Sequence, residues 1–287
     1  SHKYVNKKLL EQSEKLWHVS NIYQIVEQEK LAQRLCEISF ADYVFFCNSG
    51  TEAVEASIKI ARKYHYEVSK SKTKNHIISF KGSFHGRTLG ALAAGGPSKL
   101  EPFNTELNGF KHISFGDLDK VKKAICEDTA AILIEPIQGE GGIIEAPLEF
   151  IKGIRKLCDE NNILLIFDEV QCGFGRTGKM FAHQWLDVAP DIMTVAKAIG
   201  NGFPIGACLT TKRVGSFMDF GSHGSTFGGN PLASAVGNAV LDIMLKEDFF
   251  INVENISKIL LSGLSEIMKE FPKVIELVRG RGLMIGI

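Results

Sequence analysis

Two apolar runs of strand length each end on an ionisable side chain, and no other feature constrains the fold of this chain as much. Ile163-Leu164-Leu165-Ile166-Phe167 delivers Asp168, followed by Glu169-Val170-Gln171, and Thr194-Val195-Ala196 delivers Lys197. Short, continuously apolar strands belong to a parallel sheet covered on both faces. In such a sheet ligands sit just beyond the carboxyl ends of the strands. The sequence therefore predicts an α/β domain that brings one carboxylate and one amine to the same edge.

The rest of the chain repeats the pattern. Further strands are read at Tyr43–Phe46, Ile77–Phe80, Ala131–Glu135, Ile192–Ala196 and Ile205–Leu209, separated by helix-length segments such as 149–160. Helical spacing is read over 22–40 (Ile22, Ile25, Val26, Leu31, Leu35, Ile38). A helix from about Glu52 to Tyr66 turns Ala53, Ala56, Ile60, Ala61 and Tyr64 inward, and another long helix covers 231–246. From Phe249 onward the pattern is helix then strand. The expected organisation is an N-terminal segment over 1–20, a large α/β domain over 21–235, and over 236–287 a connecting helix and the start of a smaller domain. The chain has no initiator Met and stops within an apolar stretch, Gly282–Ile287, so it reads as a piece of a longer protein.

Composition excludes several functions. A 45% hydrophobic content over 287 residues is ample for a buried core. The 33 basic and 33 acidic residues balance, which gives no support for nucleic-acid or membrane-surface binding. No apolar run approaches the roughly 18 residues of a membrane span. Six cysteines stand singly, as reduced thiols of a cytoplasmic protein do, and the eight histidines show no metal-ligand spacing, so no metal is expected. Cys172 lies beside the proposed site without any neighbour that marks it as a nucleophile.

Asn48-Ser49-Gly50-Thr51-Glu52 joins a strand to a helix. Free N–H groups at a helix N-terminus bind anions, and Gly admits a phosphate closely. Alone, the segment reads better as a helix cap with Ser49 or Thr51 as the capping residue. Asp168 and Lys197 are equally ordinary in isolation. Together they are pointed, because loops at the same edge add Phe84-His85-Gly86-Arg87 and Gly224-Ser225-Thr226-Phe227, an aromatic face, a guanidinium and a hydroxyl. This set suits a flat, phosphorylated, anionic ligand. Pyridoxal phosphate fits it: the amine forms a Schiff base and the acid holds the pyridinium nitrogen protonated. Nucleotide readings fit less well. Gly173–Gly178 satisfies GxGxxG, and through Lys179 it satisfies GxxxxGK, but Met180 stands where a magnesium-binding Ser/Thr belongs. That stretch also follows the acidic strand instead of preceding it.

The assembled motifs resemble the class III pyridoxal-phosphate aminotransferases over nearly the whole chain. The strongest pieces are Asn48–Ala53, Phe84–Thr88, Glu135–Gly142, Asp168–Gln171, Gly175–Lys179, Ala196–Ala198 and Ser225–Pro231, seven motifs in the right order. Leu16–Tyr23 and Ile199–Gly206 carry a finer resemblance to the acetylornithine branch. The resemblance implies the aspartate aminotransferase-like fold type I, with a mostly parallel central sheet and an incomplete small α+β domain. It implies pyridoxal 5'-phosphate held by Lys197 and Asp168, with Gln171 on the ring oxygen, Val170 and Phe84 on the two ring faces, and Gly50 and Thr51 on the phosphate. Ser49, His85, Glu135 and Ser225 complete the expected cofactor shell. Thr226 would reach the phosphate of a second copy in a homodimer. Arg87 would grip a substrate carboxylate, with Asn21 and Tyr23 beside the substrate, and Glu140 would pair with an arginine that the family carries beyond the point where this chain stops. The implied reaction moves the δ-amino group of N2-acetyl-L-ornithine to 2-oxoglutarate. Ornithine, 4-aminobutyrate or succinyl-diaminopimelate as donor, or a non-catalytic remnant, are the alternatives.

Overall fold

The computed structural model describes residues 2–70 and 72–287. The chain runs α1 (Lys3–Ser13), α2 (Val26–Glu37), β1 (Tyr43–Cys47), α3 (Gly50–Ser69), β2 (His76–Phe80), α4 (Leu89–Gly95), β3 (Phe110–Ile113), α5 (Leu118–Ala124) and β4 (Thr129–Ile134). It continues with β5 (Ile137–Gln138), β6 (Ile144–Glu145), α6 (Leu148–Glu160), β7 (Leu164–Asp168), β8 (Ile192–Val195), β9 (Gly206–Thr210), α7 (Lys212–Gly215), α8 (Pro231–Met244), α9 (Glu247–Glu270), β10 (Arg279–Arg281) and β11 (Met284–Gly286).

Seven strands form one sheet in the order β1-β9-β8-β7-β4-β2-β3. The pairings β2–β3, β2–β4, β4–β7 and β7–β8 are parallel. Strand β9 is antiparallel to both of its neighbours, β1 and β8. Ile205–Leu209, expected among the parallel strands, thus runs the other way; an all-apolar strand carries no signal of direction when both its faces are buried.

Both faces are covered, and the period of two decides which residue serves which face. Ile77, Leu133, Ile166, Ile192 and Cys208 pack with Val54, Ile58 and Ala61 of α3. On the other face, Ile78, Ile132, Ile134, Leu165 and Phe167 pack with Ile151 and Ile154 of α6 and Val121 of α5. Further along that face, Met193, Val195 and Leu209 meet Leu31 and Leu35 of α2 and Val236 and Leu241 of α8. Asn230 caps α8 by accepting from Ala233 N, with Pro231 in the first turn. Helix α8 is buried almost all round because α1 and α2 lie against it.

The expected helix over 22–40 is shorter than read. It begins at Val26, with Ile25 as its N-terminal flank, and Ile22 stands 73% exposed outside it. The edge strand β3 and helix α5 were not anticipated, since neither is continuously apolar. The chain's final stretch is a two-stranded antiparallel hairpin, β10–β11. All six cysteines are free, as expected from their spacing. Among the described residues no helix is long and apolar enough to cross a membrane.

His65 shows what burial does to a polar group here. It lies on the inner face of α3, with ring Nε2 2.8 Å from the Ala130 carbonyl oxygen. Burial holds its pKa down, to about 4. The unfolded chain takes up this proton near pH 6.5 while the folded chain does not, so stability falls as pH drops from about 6.5 towards 4. His65→Gln keeps an amide donor for Ala130 and removes the titration. Guanidinium unfolding at pH 7 and pH 5 is expected to show a smaller loss for the variant than for the parent; equal losses would place the acid sensitivity elsewhere.

Candidate active site

Asp168 ends β7, 3% exposed. A buried carboxylate is costly unless its oxygens are bonded, and three groups meet this need. Thr194 Oγ1, on the parallel neighbour β8 in register with Asp168, donates to Oδ1 at 3.0 Å. Val170 N donates to the same oxygen at 3.1 Å. His85 Nδ1 lies 2.7 Å from Oδ2. The other ring nitrogen of His85, Nε2, is buried without a hydrogen-bond partner.

Lys197 follows β8 by two residues and heads a one-turn helix, Lys197–Gly200. It is exposed, with φ 47°, in the left-handed region that bulky residues seldom occupy. Such an outlier next to a cavity is the kind of strain that marks functional positions.

Ser49 caps α3: its Oγ takes the N–H of Glu52 and donates to Glu52 Oε2 at 2.6 Å, while Glu52 accepts from Asn48 N at 3.0 Å. Ser49 is thus the N-cap of α3, and the Glu52 carboxylate ties both its hydroxyl and the preceding Asn48 N–H to the helix head. Gly50 and Thr51 therefore occupy the first turn, where N–H groups have no acceptor within the helix. Thr51 Oγ1 accepts from the N–H groups of Arg87 and Thr88, both at 3.3 Å, which ties the turn carrying Arg87 to the head of α3. A side chain on Gly86 would run into Thr51, and its φ of +127° suits glycine alone.

Glu135 pins two loops. Its Oε2 accepts from Phe84 N at 3.0 Å and its Oε1 from Gly139 N at 3.3 Å. Burial pushes its carboxyl up to about 7, against the pull of His85. Gln171 lies across Gly139, where a Cβ would overlap its amide oxygen, and Val170 packs on Gly50.

A cavity of about 380 Å³ brings these groups together: Ser49, Gly50, Thr51, Phe84, His85, Arg87, Glu135, Asp168, Val170, Gln171 and Lys197 all line it. A second cavity of about 870 Å³ adjoins it, sharing Gln171, Lys197 and Gly202 and lined elsewhere by Arg176 and by Leu283–Ile285. The remaining sequence-predicted residues lie outside the smaller cavity. Ser225 is close, its Oγ accepting from Asn48 Nδ2 at 3.2 Å, and Asn21 Nδ2 donates to the Ser225 carbonyl at 2.7 Å. Thr226, Tyr23 and Glu140 are exposed. Thr194, Asn48 and Phe203–Ile205, which the sequence offers only as parts of longer motifs with no role of their own, also belong to the site. Thr194 had one available signal: it is the polar residue in an otherwise apolar strand.

The Gly173–Lys179 stretch folds as successive turns. The acid beside Asp168 serves the one-turn helix after this loop, Ala182–Trp185: buried Glu169 accepts from Ala182 N at 2.6 Å and His183 N at 2.8 Å, and sits 2.8 Å from His183 Nδ1. Cys172 is buried and its thiol is pushed well up by that burial, which matches the absence of a nucleophile's surroundings.

The family model of the class III aminotransferases matches residues 1–287. The chain belongs to this family. It is 54% identical to an acetylornithine aminotransferase of Mesorhizobium japonicum, over 100% of this chain and 72% of that protein. It resembles the crystal structure of an N-acetylornithine aminotransferase from Stenotrophomonas maltophilia K279a with a TM-score of 0.85 and 40% identity, covering 99% of this chain and 70% of that one. An amine transaminase from an uncultivated Pseudomonas species, solved in its PLP-bound form, superposes with a TM-score of 0.88 at 29% identity, covering 98% and 71%. Family and neighbours agree on a mostly parallel fold type I sheet and point to pyridoxal phosphate as cofactor.

The close approach of β9 to the helix head generates a test. A Cβ on Gly206 would stand 2.4 Å from the Ser49 carbonyl oxygen, a backbone atom that cannot swing aside. Gly206→Ala is expected to cost about 1–3 kcal/mol in chemical denaturation and to weaken pyridoxal phosphate binding by displacing the Asn48–Thr51 turn. A variant with parental stability and affinity would show that this turn moves freely.

Proposed function

We propose that this aminotransferase moves the δ-amino group of N2-acetyl-L-ornithine to 2-oxoglutarate, giving N-acetyl-L-glutamate 5-semialdehyde and L-glutamate, with pyridoxal 5'-phosphate in the smaller cavity. The observation that carries the chemistry is the meeting of Asp168 and Lys197 from adjacent parallel strands beneath the head of α3. The amine donor rests on the identity to the acetylornithine enzymes.

The residues fit the cofactor on their own chemistry. A buried, triply bonded carboxylate, an exposed amine and a capped helix with free first-turn N–H groups line one cavity. Bound there, pyridoxal phosphate supplies an electrophilic carbonyl and an electron sink. Asp168 would hold a proton on the ring nitrogen, its own charge fixed in place by Thr194, Val170 N and His85. Gly50 and Thr51 would take the phosphate at the positive end of α3, with Ser49 fixing that end and Ser225 beside it. Val170 and Phe84 would bound the two ring faces, Glu135 holding the Phe84 loop in place. Gln171 would meet the ring oxygen. Lys197 Nζ would anchor the cofactor and, as the free amine, take a proton from the carbon that bears the substrate nitrogen.

Arg87 stands exposed at the cavity, its guanidinium 5.6 Å over the Phe84 ring, where it would receive a substrate carboxylate. We place Asn21, Tyr23 and Glu140 around the substrate. Thr226 lies exposed outside its own chain's cavity, which suits a homodimer in which it reaches the partner's cofactor phosphate. We also read residues 21–235 as the cofactor-binding unit and 236–287 as the start of a smaller one, the join passing through α8. Six free cysteines suit a cytoplasmic setting.

Borohydride reduction of the chain loaded with pyridoxal phosphate, followed by peptide mass mapping, is expected to place the cofactor mass on the peptide carrying Lys197. Lys197→Ala should lose about 10²–10⁴-fold or more in turnover. Among donors, N2-acetylornithine should show the highest kcat/KM against ornithine, 4-aminobutyrate and succinyl-diaminopimelate. Cofactor on another lysine or normal turnover by the variant overturns the assignment of Lys197; a better donor redirects the substrate alone.

A further inference from the structure

A second cluster of ligating side chains lies at the opposite edge of the sheet. His76 opens β2 at its amino end, and Cys126 and Asp128 stand in the turn between α5 and β4. One ligand atom from each lies within 4.8 Å of the others. The backbone holds these residues together: His76 N donates to the Asp128 carbonyl at 2.8 Å, and Cys126 N donates to Thr129 Oγ1 at 3.0 Å. The register of β2 against β4 shifts at His76/Ile77, so this corner departs from regular pairing. His76 Nδ1 is a buried nitrogen without a hydrogen-bond partner, an unspent ligand.

Cys126 is exposed, and Lys111 Nζ lies 3.1 Å from its sulfur and 3.0 Å from the Ala124 carbonyl. Thr129 Oγ1 also lies 3.6 Å from the sulfur, and the thiolate is the form of cysteine that ligates metals. An imidazole, a thiolate and a carboxylate are together a zinc-type donor set. At metal–ligand lengths of about 2.0–2.3 Å, tetrahedral ligand atoms stand about 3.3–3.8 Å apart. Bringing atoms up to 4.8 Å apart to that spacing needs side-chain shifts of about 1–1.5 Å in all.

We propose that His76, Cys126 and Asp128 form a binding site for a zinc-like divalent cation, with water in the fourth position, separate from the aminotransferase site. The ion would staple the start of β2 to the turn before β4. Binding displaces the Lys111 ammonium from the sulfur and releases to solvent any proton the thiol still holds.

Equilibrium dialysis of the cofactor-loaded chain against Zn²⁺ tests this. One retained ion per chain is expected, with a single sulfur ligand in the zinc-edge X-ray absorption spectrum. Cys126→Ser should weaken retention by about tenfold or more, and Lys111→Met, which removes the competing cation, should tighten it. Transamination by metal-free Cys126→Ser should match the parent, so a failure of this site and a failure of the enzymatic reading are told apart. No retained zinc, zinc without sulfur, or equal retention by Cys126→Ser overturns the proposal.

Discussion

The candidate site depends on one buried carboxylate. Asp168 can lie at the end of a central strand only because its oxygens are bonded from three directions: by the next strand, by its own loop and by a histidine from a distant loop. Each partner constrains a different part of the molecule. Thr194 fixes the register of β8, and hence where Lys197 emerges. Val170 N fixes the turn that presents Gln171. His85 draws in the Phe84–Arg87 loop, whose other attachments are Glu135 and Thr51. An uncompensated charge at this depth would cost more than any one of these bonds returns, so the loops and the acid must be placed together.

Irregular backbone around the site follows from close approaches that side chains would forbid. Gly206 passes the Ser49 carbonyl, Gly228 passes that of Phe46, and Gly86 faces Thr51. These contacts let β9 and the 225–230 loop press against the head of α3. Lys197 is the converse case: a bulky residue in a left-handed conformation, between the end of β8 and the turn it heads. Much of the strain is met by glycine, while Lys197 carries it itself, as do Phe174 and Asn201 beside the adjoining cavity.

Much of this was legible in the sequence, and the reasons are specific. Continuous apolar strands and their terminal Asp168 and Lys197 gave the sheet and its working edge, because burial on both faces writes itself directly into composition. The helix cap was visible too, with Ser49 or Thr51 as its candidates, and Ser49 is the one that caps α3. What the sequence could not show were effects of tertiary placement. The direction of β9 depends on its neighbours. Strand β3 lies at an edge and half-buried, so its Phe-Lys-His-Ile pattern is indistinct. The helical spacing from Ile22 suggested a helix that Ile25 delays, leaving Val26 exposed in its first turn. Ser49 lines the cavity, as the resemblance implied, and its hydroxyl is also engaged with Glu52, a tertiary detail that the motif does not carry.

Charge is divided between the two edges of the sheet. At the amino end of β8, Asp191 accepts from Leu165 N and is flanked by the guanidinium groups of Arg155 and Arg213. These are permanent cations that neutralise the acid inside the protein, so this edge is electrostatically closed and ties β7 to α6 and α7. At the carboxyl end, Asp168 is held by a hydroxyl, an amide and an imidazole, none of which brings a permanent positive charge. Its field is left to act on whatever enters the cavity. The same residue type thus secures the strands at one end and remains available for chemistry at the other, and the difference lies in whether its partners are permanent guanidinium cations or a hydroxyl, an amide and an imidazole.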